Sequence, residues 1–326
     1  MRRSSFVLDR LRRSFANPYL LLTLTMLMWA GNAIAGRLAV GEISPGTLTA
    51  LRWLAAGTIM LALCWRPLKE YWPALRPRLG YLAFMGVIGF TTYNAFLYWG
   101  AHSTTAINMN IVTASLPAMI LVGAVVAYGA KVTAIQWLGV AVSAFGVAVG
   151  AAHGSLATLR ALGLNLGDGL VLVATAGYAI YSLLLRRRPA VPAIVFFAAI
   201  VPSAALSSLA VVAGEVALGQ FIWPTAKGWL ILLYVTVFPT LVAQIFFIRS
   251  VELIGAGRAG LFVNLMPVFG AVLATLVLGE AFALYHAVAL ALTLGGIVLA
   301  EWGRPRPATS YAGAAGKRRA AASEPR

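Results

Sequence analysis

The chain alternates between long apolar runs and short polar or basic connections. An apolar run of roughly 20 residues is the length that an α-helix needs to cross a bilayer. The runs lack the two-residue alternation of lipid-facing strands, and helices satisfy their own backbone hydrogen bonds in lipid. The sequence therefore predicts ten transmembrane helices, at Tyr19 to Gly36, Thr47 to Trp65, Leu79 to Gly100, Asn108 to Tyr128, Ala134 to Ala152, Asp168 to Leu185, Pro192 to Ala213, Gly228 to Ile248, Ala259 to Leu278 and Leu284 to Trp302.

Composition supports a lipid-embedded chain. Of the 326 residues, 61% are hydrophobic and 10% are charged, and the mean hydropathy is +0.87, which is not the composition of a water-soluble globule. The single cysteine, Cys64, excludes an internal disulfide. It also leaves no Cys/His cluster of the kind that binds zinc, so we expect no metal and no cofactor.

The net charge of +16 is informative through its location. If the N terminus is cytoplasmic, all but four of the 25 Lys and Arg residues fall on the cytoplasmic side, which is the positive-inside pattern. The exceptions are Arg37, Arg52, Arg160 and Lys227. We therefore expect a multi-pass protein of the bacterial inner (plasma) membrane with both termini in the cytoplasm. Nucleic-acid binding is excluded as the expected role, because the charges do not cluster on one soluble module.

The two halves of the chain are related. Shifting the sequence by 150 positions aligns Phe96 with Phe246, Ala106 with Ala256, Pro117 with Pro267, Gly129 with Gly279 and Gly146 with Gly296. A slightly shorter shift places residues 29–34 over residues 175–180, so helix one has a counterpart in helix six. That counterpart argues against interpreting the first apolar run and Ala33-Ile34-Ala35 as a cleavable signal peptide.

Five helices per half is an odd number, so the second half must enter the membrane with the opposite orientation. The predicted fold is an all-α membrane protein of ten transmembrane helices, arranged as two inverted-topology five-helix repeats. Two such halves can exchange conformations, which favours alternating access. The predicted units are a basic cytoplasmic segment at 1–18, the repeats at 19–152 and 168–302, a periplasmic linker at 153–167, and a disordered basic cytoplasmic tail at 303–326.

Several short motifs follow one another in a characteristic order and spacing along the two halves: Trp29-Ala30-Gly31-Asn32, Ser44-Pro45, Leu51-Arg52-Trp53, Pro117, Gly167-Asp168, Pro267 and Gly279-Glu280. With them, nearly the whole chain resembles the EamA-domain transporters of the drug/metabolite transporter superfamily. The resemblance implies a central substrate cavity, cytoplasmic termini and, often, export. In the first copy, Gly129-Ala130-Lys131 replaces the usual acidic residue after helix four, which weakens any role for that loop charge.

Polar side chains at bilayer depth usually face the bundle interior or a hydrated cavity. Arg52 is a candidate fixed cation for a substrate carboxylate or phosphate, although it lies close enough to the surface to snorkel. For the amides the alternative is hydrogen bonding between helices, and for the tyrosines it is packing. The candidate substrate-binding residues are Asn32, Arg52, Tyr93, Asn94, Tyr98, Tyr178, Tyr181, Gln244 and Asn264.

Prolines within apolar helices remove a backbone donor, so Pro117 and Pro267, which match between the halves, are candidate hinges. A second set consists of candidates for a gate or proton relay, with helix capping or an interfacial location as the alternative: His102, Asn108, Asn110, Asp168, Glu280 and His286. Protons are a candidate coupling ion. Since no Asp or Glu lies at the middle of a predicted helix, facilitated exchange is the alternative.

These features predict a secondary transporter that moves a small metabolite across the inner membrane, as an exporter of amino-acid-like or other small polar or amphipathic compounds. An uptake permease is one alternative. A membrane-embedded hydrolase or lipid-modifying transferase is another, but the chain lacks the paired carboxylates or the Ser/His motif that such chemistry requires. It also lacks a GxxxxGK[ST] loop for ATP.

Overall fold

The computed structural model describes residues 17–101, 103–104, 109, 112–160, 165–278 and 283–303. Within these residues the chain is helical and contains no β-strand. The helices, labelled in chain order, are α1 (Pro18–Leu38), α2 (Pro45–Glu70), α3 (79–101), α4 (Leu116–Tyr128), α5 (Ala134–Ala151), α6 (Leu166–Leu184), α7 (Ala193–Ala217), α8 (Ala226–Ile254), α9 (256–278) and α10 (Leu284–Trp302). Shorter helical turns occupy Trp72–Leu75, Arg76–Arg78, Leu156–Arg160 and Leu185–Arg187.

Most of these helices meet the requirements for crossing a bilayer. Among the described residues, seven are long and apolar enough to span it, namely α1, α2, α5, α6, α7, α8 and α10, and α4 is a shorter apolar helix. Their outward surfaces carry large apolar side chains such as Leu63, Val126 and Leu276, which are at least 70% exposed. In water such a surface would be unfavourable, whereas in lipid it is the expected one. The protein is therefore a multi-pass helical membrane protein.

The packing of the helices follows the repeat. Helix α1 packs against α8 and α9, and α6 packs against α3 and α4. If the two halves are exchanged, α1 corresponds to α6, α3 to α8 and α4 to α9. This exchange converts the first set of contacts into the second. The other two large interfaces, α2 with α7 and α5 with α10, are unchanged by the same exchange. This two-fold pattern is the one expected from a pair of inverted repeats.

Regular α-helix is interrupted at matching positions in the two halves. Helix α3 contains a π-helical segment at Val87–Thr92, and α8 contains one at Thr236–Val242. Helix α9 passes through a 3₁₀ turn at Phe262–Asn264. Regular α4 follows a turn at residues 114–115 and so begins later than the predicted start at Asn108, a residue outside the described ones. Discontinuities in corresponding helices of two repeats commonly mark a transport site.

The interface between α5 and α10 depends on glycines that bring the two backbones together. A Cβ atom added at Gly139 would lie 2.4 Å from the amide nitrogen of Ala300, and one added at Gly296 would lie 2.4 Å from that of Ser143. Both neighbours are backbone atoms, which cannot rotate away. Small residues are the usual means of close helix packing in membranes, where lipid supplies no hydrophobic drive between helices.

Neighbouring glycines on α10 provide a matched test of this packing. Gly296→Ala should destabilise the protein by about 1–3 kcal/mol, because overpacking must separate the two backbones. Gly295→Ala should be neutral or slightly stabilising, because a Cβ there meets no atom within 4 Å and alanine favours helix. Thermal unfolding of both variants in detergent measures the difference. Equal melting temperatures for the two would contradict the close crossing.

Candidate substrate cavity

A cavity of about 240 Å³ lies between the two repeats. Its walls come from α1, α2, α3 and α4 of the first half and from α6, α8 and α9 of the second. The polar groups on these walls are the side chains of Asn32, Arg52, Tyr93, Asn94, Tyr178, Thr240 and Gln244. The remaining lining residues are apolar, aromatic, glycine or proline. The cavity therefore combines a few polar groups with large apolar surfaces, as small-molecule sites usually do.

The lining residues are related by the sequence repeat. At the shift of 150 positions, four pairs both line the cavity: Gly89 with Pro239, Phe90 with Thr240, Asn94 with Gln244, and Leu116 with Met266. At the shorter shift, Asn32 corresponds to Tyr178, and both of these also line it. The cavity thus lies where the two halves meet around their two-fold relationship.

Six of the nine predicted substrate-binding residues line the cavity, namely Asn32, Arg52, Tyr93, Asn94, Tyr178 and Gln244. Tyr181 does not: it is fully buried in the core, with its ring centroid 5.3 Å from that of Phe90. Asn264 is also buried away from the cavity lining, and its Nδ2 donates to Ser143 Oγ at 2.8 Å, joining α9 to α5. The structure describes the backbone of Tyr98 but not its side chain.

The two amide side chains that correspond in the repeat follow the π-helical segments. Asn94 Nδ2 donates to the carbonyl of Phe90 at 2.6 Å, which orients its amide. Gln244 lies beside the Tyr178 hydroxyl, and its Oε1 accepts no hydrogen bond from the described residues. A buried acceptor of this kind is costly unless water or a ligand satisfies it. The amides can therefore donate to or accept from a molecule in the cavity.

A proline in the second π-helical segment connects the halves. Pro239 has no amide hydrogen, and its carbonyl accepts a hydrogen bond from Trp29 Nε1 at 3.1 Å. This bond fixes the Trp29 ring against the cavity, edge-on to Tyr178 with 5.9 Å between ring centroids. Tyr93 and Tyr178 are also in contact, at 5.3 Å. One wall of the cavity is therefore aromatic.

Arg52 supplies the charge in the cavity wall. It is only 5% exposed, and its guanidinium carbon lies 5.3 Å from the centroid of the Trp53 ring. Trp53 in turn stacks on Phe90, with centroids 4.4 Å apart and planes 14° apart. Helix α7, which pairs with α2 in the fold, contains no Lys or Arg. Among the described lining residues, the positive charge is thus contributed by the first repeat.

Glu215, which the sequence analysis did not select, holds the N-terminal turn of α2. Its carboxylate accepts from Gly46 N at 2.5 Å, from Ser44 Oγ at 2.8 Å and from Thr47 N at 3.2 Å. A carboxylate at a helix N-terminus accepts hydrogen bonds from backbone amides that have no partner within the helix, and its negative charge interacts favourably with the helix dipole. Arg52 lies two turns further along the same helix, so Glu215 fixes the part of α2 that carries the charge.

The same end of the bundle has a second acidic contact between loops. Glu42 accepts from the Thr225 hydroxyl and pairs with Lys227 at 3.3 Å. The hydrogen bond from Thr225, and then Lys227, hold the pKa of this carboxyl below its usual value. Glu42 therefore stays ionised near neutral pH and links the α1–α2 loop to the start of α8.

The candidates for a gate or proton relay have more local contacts. Asp168 is buried and forms a reciprocal cap with Asn165: Oδ2 accepts from Asn165 N at 2.9 Å, and Asp168 N donates to Asn165 Oδ1 at 3.0 Å. Thr104 also donates to Asp168. His286 Nδ1 accepts from Ala283 N at 3.0 Å at the start of α10. These bonds give both residues a capping role, and proton transfer stays a prediction.

The remaining candidates are four residues outside the described part of the chain and two prolines. The four are His102, Asn108, Asn110 and Glu280. Pro117 and Pro267 each lie in the first turn of a helical stretch, directly after the interruptions of α4 and α9. Both prolines therefore start a helical stretch and do not kink an unbroken helix. The first turn of a helix is a position at which proline is well tolerated. A hinge at either site stays a prediction.

The sequence profile of the EamA-like transporter family matches the chain twice, over residues 17–150 and over residues 165–302. The chain belongs to the EamA-like transporter family. This membership confirms the resemblance found in the sequence motifs. A member of this family is expected to carry a small-molecule substrate across a lipid bilayer, and the cavity between the repeats is the candidate place for it.

Two similar proteins come from Bacillus subtilis (strain 168). One is described as "Uncharacterized transporter YetK", with 23% identity over 89% of this chain and 88% of that protein. The other is "Uncharacterized transporter YyaM", with 22% identity over 87% of this chain and 93% of that protein. A solved crystal structure has the same fold, with a TM-score of 0.70 and 20% identity over 87% of this chain and 96% of that one.

The role of Glu215 as a cap for α2 can be tested by removing its carboxylate. Glu215→Ala should lower the stability of the protein by about 1–2 kcal/mol, because hydrogen bonds to a charged group are worth about that much each and this one is partly solvated. The control is Glu70→Ala at the other end of α2, where the side chain is exposed. Thermal unfolding in detergent compares the two, and equal losses would argue against the cap.

Proposed function

We propose that this EamA-family protein is a secondary transporter that exports an amino-acid-like or other small polar or amphipathic metabolite across the inner membrane by alternating access. The observation that carries the proposal is the cavity between the repeats, whose mainly apolar walls include the amides of Asn94 and Gln244 from corresponding positions. Inverted repeats favour a pair of states of similar energy, because each half can adopt the conformation of the other.

The two ends of the cavity differ in how open they are, which supports the proposal that the structure represents one of the two states. Gly36, near the end of α1, lines the cavity, and a Cβ added there would meet no atom within 4 Å. Its counterpart at the shorter shift is Ser182 on α6, which is fully buried. Next to Ser182, Leu183 fits against Gly123, where an added Cβ would lie 2.3 Å from Leu183 Cδ1. Among the described residues, the position at the α1 end of the cavity is therefore open, and the corresponding position at the α6 end is closed by packing.

The closed end is also the basic end, formed by the connections at 71–78, 129–133, 185–192 and 255. There Arg188 pairs with Glu252 of α8 at 3.0 Å, and Arg258 of α9 pairs with Glu301 of α10 at 3.2 Å. These pairs are partly exposed, so each stabilises the closure by about 1 kcal/mol or less. Bonds of that strength can break and reform during a transport cycle.

The positive-inside pattern favours a cytoplasmic location for the basic end and for both termini. On this assignment the cavity faces the periplasm, which is the state in which an exporter releases its substrate. Protons are the proposed coupling ion, and the alternative is facilitated exchange. Counterflow in liposomes with and without an imposed pH gradient separates the two modes.

Transport should depend on the pair of amides. In liposomes containing the purified protein and loaded with a mixture of cellular metabolites, some small polar or amphipathic compound should show saturable counterflow. Asn94→Ala and Gln244→Ala should each slow it about three- to tenfold, as expected for the loss of one hydrogen bond. The exposed cation Lys227 provides a control, and Lys227→Gln should transport normally. Full activity in both amide variants would reject this site, and substrate turnover in detergent would indicate an enzyme instead.

Alternating access can be followed with single cysteines in a Cys64→Ser background. Gly36→Cys should react quickly with a polar maleimide, and Ser182→Cys slowly, because the first position is open and the second is buried. Adding Glu252→Gln removes the ion pair with Arg188 and should shift the equilibrium, so that Ser182→Cys reacts a few-fold faster and Gly36→Cys more slowly. Opposite changes at the two positions are required. Parallel changes would indicate loosening rather than exchange between two states.

A further inference from the structure

We propose that, of the compound classes named above, the cavity selects small organic monoanions with a flat apolar body, such as an aromatic monocarboxylate, over organic cations and over zwitterions, so that the substrate is one of the other small amphipathic compounds rather than an amino-acid-like one. This inference rests on the proposed function of the cavity as the substrate site. It depends on three features of the walls: one buried cation, a stacked aromatic surface beside that cation, and a pair of neutral amides.

Among the described residues that line the cavity, the charge has one sign. Arg52 is buried in the wall, and a guanidinium stays protonated in proteins. No Asp or Glu is among the described residues that line the cavity. Charges interact more strongly in a poorly solvated site than in water, so a ligand carboxylate is attracted and a ligand ammonium is repelled.

The shape of the site favours a planar body next to that charge. Trp53 lies directly under the Arg52 guanidinium and stacks on Phe90. On the second repeat, Tyr178 is in contact with both Trp29 and Tyr93. Aromatic faces attract flat rings through offset or edge contacts. These faces would also attract an organic cation, so Arg52 is the group that decides between an anion and a cation of the same shape.

The volume of the cavity and its uncharged polar groups restrict the class of ligand further. A volume of about 240 Å³ is smaller than the 300–1,000 Å³ typical of pockets for drug-sized ligands. Asn94 and Gln244 carry no charge and can bond a hydroxyl or amide on the ligand. A single ring with one carboxylate fits these limits. A fixed partner for an ammonium group is not among the described lining residues, which disfavours the zwitterion.

The test uses a matched set of probes that differ in one feature each. They are 3-phenylpropanoate, 3-phenylpropylamine, phenylalanine and butanoate, which give the anion, the cation, the zwitterion and the anion without a ring. The shift in melting temperature of the purified protein against probe concentration gives an apparent affinity. We expect 3-phenylpropanoate to bind at least tenfold more tightly than each of the other three. Equal or tighter binding of the amine or of phenylalanine would overturn the proposal.

Variants assign the selectivity to particular residues. Arg52→Gln should weaken 3-phenylpropanoate binding at least tenfold and remove the preference over the amine, whereas Arg52→Lys should retain part of the preference. Trp53→Leu should reduce the advantage of 3-phenylpropanoate over butanoate. Lys227→Gln removes an exposed cation and should change neither. Unchanged selectivity in Arg52→Gln would refute the role of the charge, and the wild-type comparison stands even if that variant fails to fold.

Counterflow of the same probes separates this inference from the proposed transport function. Exchange of 3-phenylpropanoate but not of 3-phenylpropylamine across liposome membranes supports both proposals. Exchange of the amine or of phenylalanine in preference to the anion leaves a carrier and overturns the substrate class. Binding of the anion without exchange of any probe supports the class of ligand and overturns the carrier.

Discussion

The bilayer requires that backbone amides and carbonyls be satisfied within the protein, and this constraint organises the structure. Regular helices meet it along most of the described chain. Four places on the cavity wall depart from regular α-helix. They are the π-helical segments of α3 and α8, the turn just before α4, and the 3₁₀ turn within α9. Residues at all four places line the cavity, among them Phe90, Thr240, Leu116 and Val263. Irregular backbone is thus found where protein and the cavity, rather than lipid, surround it.

The two-fold relationship gives the helices two different roles. The interfaces of α2 with α7 and of α5 with α10 are self-related under exchange of the halves, and at the second the backbones approach through Gly139 and Gly296. Such contacts look the same in either state and suit a scaffold. The sets formed by α1 with α8 and α9, and by α6 with α3 and α4, are converted into each other. The proposed alternating access requires these two sets to differ at any moment, as the open Gly36 and the buried Ser182 do.

Much of this fold is readable from the sequence, because lipid imposes a simple rule on length and polarity. The helices, the repeat and the cavity positions of Asn94 and Gln244 follow from apolar runs and internal alignment. The direction in which a side chain faces does not follow, because helices surrounded by lipid and protein carry little amphipathic signal. Tyr181 lies three residues after Tyr178, yet it packs into the core over Gly89 instead of facing the cavity.

Other features depend on partners that are distant in the sequence. Glu215 caps a helix about 170 residues before it, and only the packing of α7 on α2 brings the two together. Asn264 finds Ser143 across another interface. Trp29 and Trp53 stand in motifs that the sequence analysis identified, next to residues it selected, but their cavity role needed the contacts with Pro239 and Phe90. Pro239 was the feature of the sequence that could have indicated the π-helical segment of α8. The π-helical segment of α3 contains no proline.

Some polar groups in the cavity have a counterpart in the other repeat and others do not, and this difference bears on how a ligand could drive the proposed exchange of states. When inverted halves trade conformations, a group takes over the surroundings of its counterpart, so Asn94 and Gln244 offer an amide on both sides throughout. Arg52 has no basic counterpart on α7, so in the proposed cycle its distance from a bound anion would change with the state. A ligand shifts an equilibrium only through different affinities for the two states. In the proposed cycle, the charge of Arg52, which has no basic counterpart in the other repeat, would supply such a difference, and the matching amides would keep the ligand bound while the halves exchange.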